Sequence, residues 1–427
     1  MKTSLNRNRL VSLLRRKAMK NGIWMYFLQF FNTIVPLLTL PYITRVLGSS
    51  KYGTFSTALN FIGYIQVLIE YGFGMSASRE VVLSSQSKDE LSTIFTNVLY
   101  ARLLLYCVGL LITAGFIVVF HNSVTLVLCV ITLFISLLGY VFQQNWLFQG
   151  MQDMKYISLI NIFGRTISVI FIFALVKTDE DVVLYSLLYS ITPLFSGIAG
   201  LLIARKKYKI SLHRVVFHAV INELKNGWYV FTTSLSSKVF GSIGITFLSV
   251  FAAESIVGVY SAIQKIPHIL MLAWLPIGQV LYPISSQHMK NSINDGIEFI
   301  NSIRKYILPL FFVIAVIMSL FSKFIVGVAF GSEYSEYHYW LRPLLFWVVV
   351  GIYNNFTGVQ TLLASGHDKE YSKCFQVGVI VTIFLNLSMI YLFKGTGAAW
   401  APLSSELFLG ILLTKTVHRL NHNVDHL

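Results

Sequence analysis

Charge is what this chain lacks most. Only 12% of its 427 residues are Asp, Glu, Lys or Arg, about half the ~25% of an ordinary soluble domain, so a hydrated surface of normal size cannot be built from it. Acids are the scarcer sign, 18 against 33 bases, which leaves a formal net charge of +15. Cysteine is nearly missing. Cys107 and Cys129 fall inside apolar runs and Cys374 sits in a short loop beside Lys373, so the three set no disulfide framework. There is no phosphate-binding glycine loop, no HExxH and no CxxC, and His121, His213, His218 and His268 are scattered without metal-ligand spacing. Those absences argue against a nucleotide-driven or metal-dependent enzyme and imply no metal and no cofactor.

What the chain has instead is apolar length. Hydrophobic residues make up 55% and the mean hydropathy is +0.68. Apolar runs of about 20 residues recur along the whole sequence, each long enough to cross ~30 Å of hydrocarbon. The runs do not alternate apolar with polar, so helices rather than barrel strands are expected. Spans are read near 22–44, 52–74, 95–119, 124–148, 156–177, 182–204, 228–251, 257–284, 304–328, 340–364, 373–393 and 397–417. The first run follows a basic stretch but is too long for a signal peptide and has no small-residue cleavage site after it; it is kept as a helix. The expected class is an all-α integral membrane protein of about 12 transmembrane helices.

Twelve spans put both termini on one side, and the loops on that side hold 23 Lys and Arg against 6 on the other. The bias places both termini in the cytoplasm. The basic balance is then topology and contact with anionic lipid, not a nucleic-acid surface. The longest inside segment divides the chain into an N-terminal lobe over 1–204, a linker over 205–227 and a C-terminal lobe over 228–427. Val215, Val216, Ala219, Val220 and Leu224 recur in the linker at near-helical spacing, which predicts an amphipathic helix on the cytoplasmic surface. A shift of 205 residues brings Asn21-Gly22 onto Asn226-Gly227, Ser50 onto Ser255, Gly53 onto Gly258 and Ser56 onto Ser261. This faint parallel repeat suits two six-helix lobes and alternating access.

A charge at mid-bilayer costs at least ~2.5–3.5 kcal/mol, so the cations left inside spans need a reason. Arg102 is expected to snorkel to the cytoplasmic headgroups. Arg165 and Lys265 lie roughly 12 Å inside their helix ends and Lys238 about 15 Å, so these three are the candidate lumen cations that bind substrate. The acids near or inside the spans are Glu70 and Glu406: Glu70 is a candidate partner or proton-exchanging group, and Glu406 an equally good inter-helix contact. The balance suits a lumen that attracts an anionic group such as a phosphate. Gln29, Thr33, Asn60 and Asn354 are the lumen polar or coupling candidates, because amides in a bilayer face helices or water. Prolines Pro36, Pro41, Pro267, Pro276 and Pro283 invite kinks in the first and eighth spans.

Several segments resemble one family. Leu37 opens LLTLPYITRVLGSSKYGTFS, which continues to IEYGFGMSASRE; WLFQGMQDMKYI starts at Trp146, FGSEYSEY at Phe330 and GVQTLLASGHDKEYSK at Gly358. Together they resemble the Wzx-type O-antigen and polysaccharide flippases, a branch of the MATE-like MOP exporter superfamily. The resemblance implies a V of two six-helix lobes around a cationic cavity. It also implies export of an undecaprenyl-diphosphate-linked oligosaccharide from the cytoplasmic to the periplasmic leaflet, with membrane lipids around it and polysaccharide polymerase and chain-length proteins as partners. Arg45, Arg79 and Glu80 fall in the matching motifs and take a gating or structural role on that reading. The alternatives are a multidrug or lipid II exporter of the same fold, or an O-antigen polymerase. A drug exporter would more naturally carry embedded acids, and a polymerase needs a large outside loop; every outside loop here is short.

Overall fold

The structure, a computed structural model, describes residues 2–84, 87–214 and 216–424. A backbone in hydrocarbon must satisfy its own amides, and only helices or closed barrels do so. Among the described residues there is no strand. The helices are α1 Lys2–Glu70, α2 Ser76–Leu83, α3 Lys88–Val119, α4 Val124–Phe142, α5 Asn145–Gly150, α6 Met154–Leu175, α7 Val182–Tyr208 and α8 Phe217–Phe251. They are followed by α9 Glu254–Ile263, α10 Lys265–Asn291, α11 Ile293–Leu320, α12 Ser322–Phe330, α13 Ser332–Ser335, α14 Leu341–Thr357 and α15 Asp368–Val424. A π-helical turn, Gly358–Leu363, continues α14.

Nine helices among the described residues are long and apolar enough to cross a membrane. Two of them break in mid-course: Phe27–Glu70 at Gly48 (φ 67°) and Asp368–Leu420 at Lys394 (φ 51°). Helix α14 is outside the nine because its α-helical part has 17 residues. The outer faces carry large apolar side chains such as Leu111, Phe384 and Leu392, each more than 60% exposed. Water would penalise such surfaces; lipid tails do not.

The chain divides into two compact units, one of Met1–Thr39 with Thr57–Val239, the other of Leu40–Ser56 with Phe240–Leu427. In the first, α4 and α6 pack along α7. The Ser87 hydroxyl caps α3 by accepting the Glu90 amide, and Asp89 and Glu90 lie in its first turn, where the helix dipole favours acids. Helix α7 ends on Arg205, Lys206 and Lys207, charges suited to a C-terminus, and Lys209 leaves the helix in the left-handed region. The surface helix expected over 205–227 is not a separate element. Ser211 and His213 instead pin a non-helical stretch to α3 through Ser92 and Thr96, and from Phe217 the chain is already the first turn of α8.

In the second unit α14 packs on α15 and on α10 and α11. Trp274, Phe311, Val348, Ile352 and Phe356 form its core. Here the 205-residue repeat becomes a physical contact. A Cβ built on Gly53 would stand 1.8 Å from the Glu254 carbonyl oxygen, and one on Gly258 would stand 1.9 Å from the Ser49 carbonyl oxygen. The backbones touch where only glycine fits. Close by, Ser49 donates from both its amide and its hydroxyl to the Glu333 carboxylate, and Thr54 donates to Glu254 at 2.8 Å.

Candidate functional site

Two of the expected lumen residues meet in the first unit. Lys238, midway along α8, places its ammonium 3.4 Å from the Asn60 side-chain oxygen and 5.2 Å from the centre of the Tyr64 ring. An amide oxygen and an aromatic face both stabilise a partly desolvated ammonium. Gly63 completes the seat, because a Cβ there would lie 2.7 Å from the Lys238 nitrogen. Asn60 is buried and Lys238 half-buried, so the cation is held without being sealed off.

A second polar chain runs through the same unit. Glu70 ends α1, accepts a hydrogen bond from Gln66 at 3.1 Å, and lies within electrostatic reach of Arg102 and Tyr140. Tyr140 is in turn within reach of Arg165, which is half-buried on α6. Arg102 does not snorkel. It is 5% exposed, donates to the carbonyl oxygens of Tyr140 (3.1 Å) and Gln143 (2.6 Å), and stands 5.7 Å over the Phe73 ring. Helix α4 stops at Phe142, which orphans those carbonyls, and the guanidinium fork answers them from inside the protein. Counting depth along α3 misses this, because the cause lies in a different helix. The polar run Gln143-Gln144-Asn145 that interrupts the apolar stretch was the available signal.

Glu80 on α2 hydrogen-bonds the side chains of Asn226 and Glu223 from α8, and Glu223 also meets Asn97 of α3. Burial pushes the Glu80 carboxyl above the ordinary carboxylate value, an effect the Asn226 hydrogen bond opposes. Glu223 was not among the residues the sequence singled out; it sits in the segment read as linker. Arg79 is exposed on α2, and Gln29 is exposed on α1. The Thr33 side chain lies outside the described residues.

In the second unit Lys265 begins α10 and is exposed, with His268 one turn further on and within electrostatic reach. The His268 Nδ1 lies 2.7 Å from the Gln264 carbonyl. Asn354 is buried, and its amide donates to both the carboxylate and the backbone carbonyl of Glu406, so this pair ties α14 to α15. Arg45 donates to the Val328 carbonyl at 2.5 Å and runs beside Gly331, which joins the residues of the RxLG motif to the FGSEY segment.

A family model described as "Polysaccharide biosynthesis protein" matches residues 18–289. The "Putative O-antigen transporter" of Escherichia coli (strain K12) is 27% identical over 406 residues, covering 92% of this chain and 95% of that one. Among solved structures, "Lipid II flippase MurJ, inward closed conformation" aligns with a TM-score of 0.73 at 15% identity over 94% of this chain and 87% of its own. An inward-facing multidrug resistance MATE transporter of the MOP superfamily gives 0.66 at 15% identity over 91% and 98%. The chain therefore has the fold of these MurJ and MATE structures, a multi-pass membrane architecture that is helical among the described residues. With a match across well over half its length, the chain belongs to the polysaccharide biosynthesis protein family.

Proposed function

We propose that this protein is a flippase that moves an undecaprenyl-diphosphate-linked oligosaccharide from the cytoplasmic to the periplasmic leaflet by alternating access. The observation that carries the reading is the seat of Lys238: an ammonium midway along an apolar helix, steadied by Asn60 and Tyr64. Such a group is suited to a diphosphate, with Arg165 as a further cation in the same unit and Lys265 as the candidate cation of the second unit. Membership of the family and the name of the Escherichia coli relative support a glycan as the cargo. The reading puts the basic loops and both termini in the cytoplasm of the inner membrane, and twelve crossings follow if each broken helix crosses twice and α14 once. Polymerase and chain-length proteins would then take the product. The 1–204 and 228–427 lobes would be the two repeats of such a machine, joined through 205–227.

A lipid II exporter is the second reading, favoured by the TM-score of 0.73 to the MurJ structure. Deleting the gene and measuring surface polysaccharide, with the leaflet position of its lipid-linked repeat unit, separates the two. Repeat units trapped on the cytoplasmic side support the proposal. Cell lysis with intact surface polysaccharide moves the assignment to lipid II, and periplasmic units left unpolymerised would point to a polymerase.

A further inference from the structure

Within the second unit, a cavity of about 640 Å³ opens between α10 and the α14–π turn. Its size is in the range of small-ligand pockets, ~300–1,000 Å³. Helix α10 gives it one face: His268, Leu272, Leu275, Gln279 and Tyr282 follow one another at three or four residues and so line up along the helix. Opposite stand Asn355 and the residues of the π turn, a rare backbone form found frequently at functional sites.

The polar groups of this cavity are uncharged and prearranged. Gln360, 1% exposed, is fixed by three contacts: its amide donates to the Gly278 carbonyl (3.0 Å) and to the Asn355 side-chain oxygen (3.3 Å), and it accepts from the Ser285 hydroxyl (3.3 Å). With its oxygen so engaged, Asn355 offers its amino end. The His268 ring has Nδ1 on the Gln264 carbonyl, which leaves Nε2 as its other polar atom. Pro276 lacks the amide that would otherwise bond the Leu272 carbonyl. Among the described lining residues none is acidic and none is Lys or Arg. The lining itself offers a diphosphate no counter-charge. A hydrocarbon tail would strip water from the His268 Nε2 and the Asn355 amino group, at ~1–3 kcal/mol apiece. A sugar ring suits both surfaces, its C–H faces against Leu272, Leu275 and Tyr282, its hydroxyls on the amides and imidazole.

We propose that this cavity is a subsite for the uncharged sugars of the transported molecule, with Asn355, Gln279 and His268 as contacts and Gln360 as the residue that positions Asn355. The inference rests on the lipid-linked oligosaccharide reading above and adds where, and by what chemistry, the glycan is held.

The test uses the full-length protein in lipid nanodiscs with two probes, a polyprenyl diphosphate bearing an uncharged trisaccharide and the same lipid without sugar. Asn355→Ala and Gln279→Ala are expected to weaken binding of the glycosylated lipid about tenfold each and to leave the bare lipid unchanged. Leu272→Trp, which intrudes on the cavity, should do the same; should Asn355→Ala not fold, the exposed Gln279 carries the test. Equal losses for both probes would mean that the cavity takes hydrocarbon, and no loss for either would mean that the sugars sit elsewhere; both results overturn the subsite. Wild-type protein that binds neither probe would instead overturn the substrate reading, and the subsite with it.

Discussion

Gly53 and Gly258, 205 residues apart, press backbone to backbone: each would drive a Cβ into a carbonyl oxygen, that of Glu254 in one case and that of Ser49 in the other. Ser49 and Glu254 are themselves 205 apart, so the contact is reciprocal. Residue i meets the repeat equivalent of its own neighbour, and that neighbour's equivalent meets it in return. Reciprocity of this kind is the mark of a two-fold relation. The faint repeat in the sequence is therefore retained where two related helices touch, and small residues are what lets membrane helices come this close.

Gly53→Leu and Gly258→Leu should each disrupt this packing, with a destabilisation at or above the ~1–3 kcal/mol of ordinary overpacking because backbone cannot move aside as a side chain can. Gly115→Ala, which meets nothing within 4 Å, is the control. Thermal unfolding in detergent checks the pair; a melting point for Gly258→Leu equal to that of wild type would refute the contact.

The ammonium of Lys238 and the empty side of Gly63 form a separable pair. Lys238→Ala should lower export about tenfold or more, the scale of one hydrogen bond to a charged group, ~1.5–3 kcal/mol. Gly63→Ala should lower it too while leaving the melting point alone, since the flexible end of a lysine is what must give way. Because both changes act on one ammonium, the double variant should be no worse than Lys238→Ala. Additive losses would show that Gly63 acts through something else.

Arg102 offers a sharper contrast with its expected place. Arg102→Ala should cost about 2 kcal/mol or more by leaving the α4-terminal carbonyls of Tyr140 and Gln143 without their donor. Arg102→Lys should recover little, because an ammonium lacks the planar fork. Were Arg102 a headgroup anchor, lysine would substitute freely, and a wild-type melting point for Arg102→Lys would establish that.

These cases show what one dimension can and cannot carry. The apolar runs are legible because crossing a bilayer demands about 20 residues whatever their neighbours are. Lys238 was legible as a costly charge, but its partner Asn60, 178 residues away, was one amide among many. Depth counting along α3 set Arg102 at the headgroups, since the broken end of α4 that binds it does not show in α3. Likewise Asn354 read as a lumen amide until the fold set it on Glu406, and Glu223 was hidden in a segment whose last residues proved to belong to α8.

Glu80 gives a prediction in pH. Its carboxyl is raised above the ordinary value of 4.5, chiefly by burial and against the pull of Asn226. A group whose folded value is raised binds its proton more tightly in the native state, so its contribution is full below 4.5 and is lost as pH climbs through the folded value. The sign follows: over the interval just above 4.5 the wild type should lose stability with rising pH, while Glu80→Gln, which keeps the shape and cannot ionise, should lose less. The charged or titratable neighbour acting on Glu80 is Glu223 from α8, with Asn226 beside it, so Glu223→Gln is needed as a second arm. Melting points of the three proteins from pH 4 to pH 8 decide it, with those limits set to span the usual carboxylate range and about three units above it. If Glu80→Gln follows the wild-type curve throughout, burial of this carboxyl has no thermodynamic consequence and the contact between α2 and α8 does not depend on its proton.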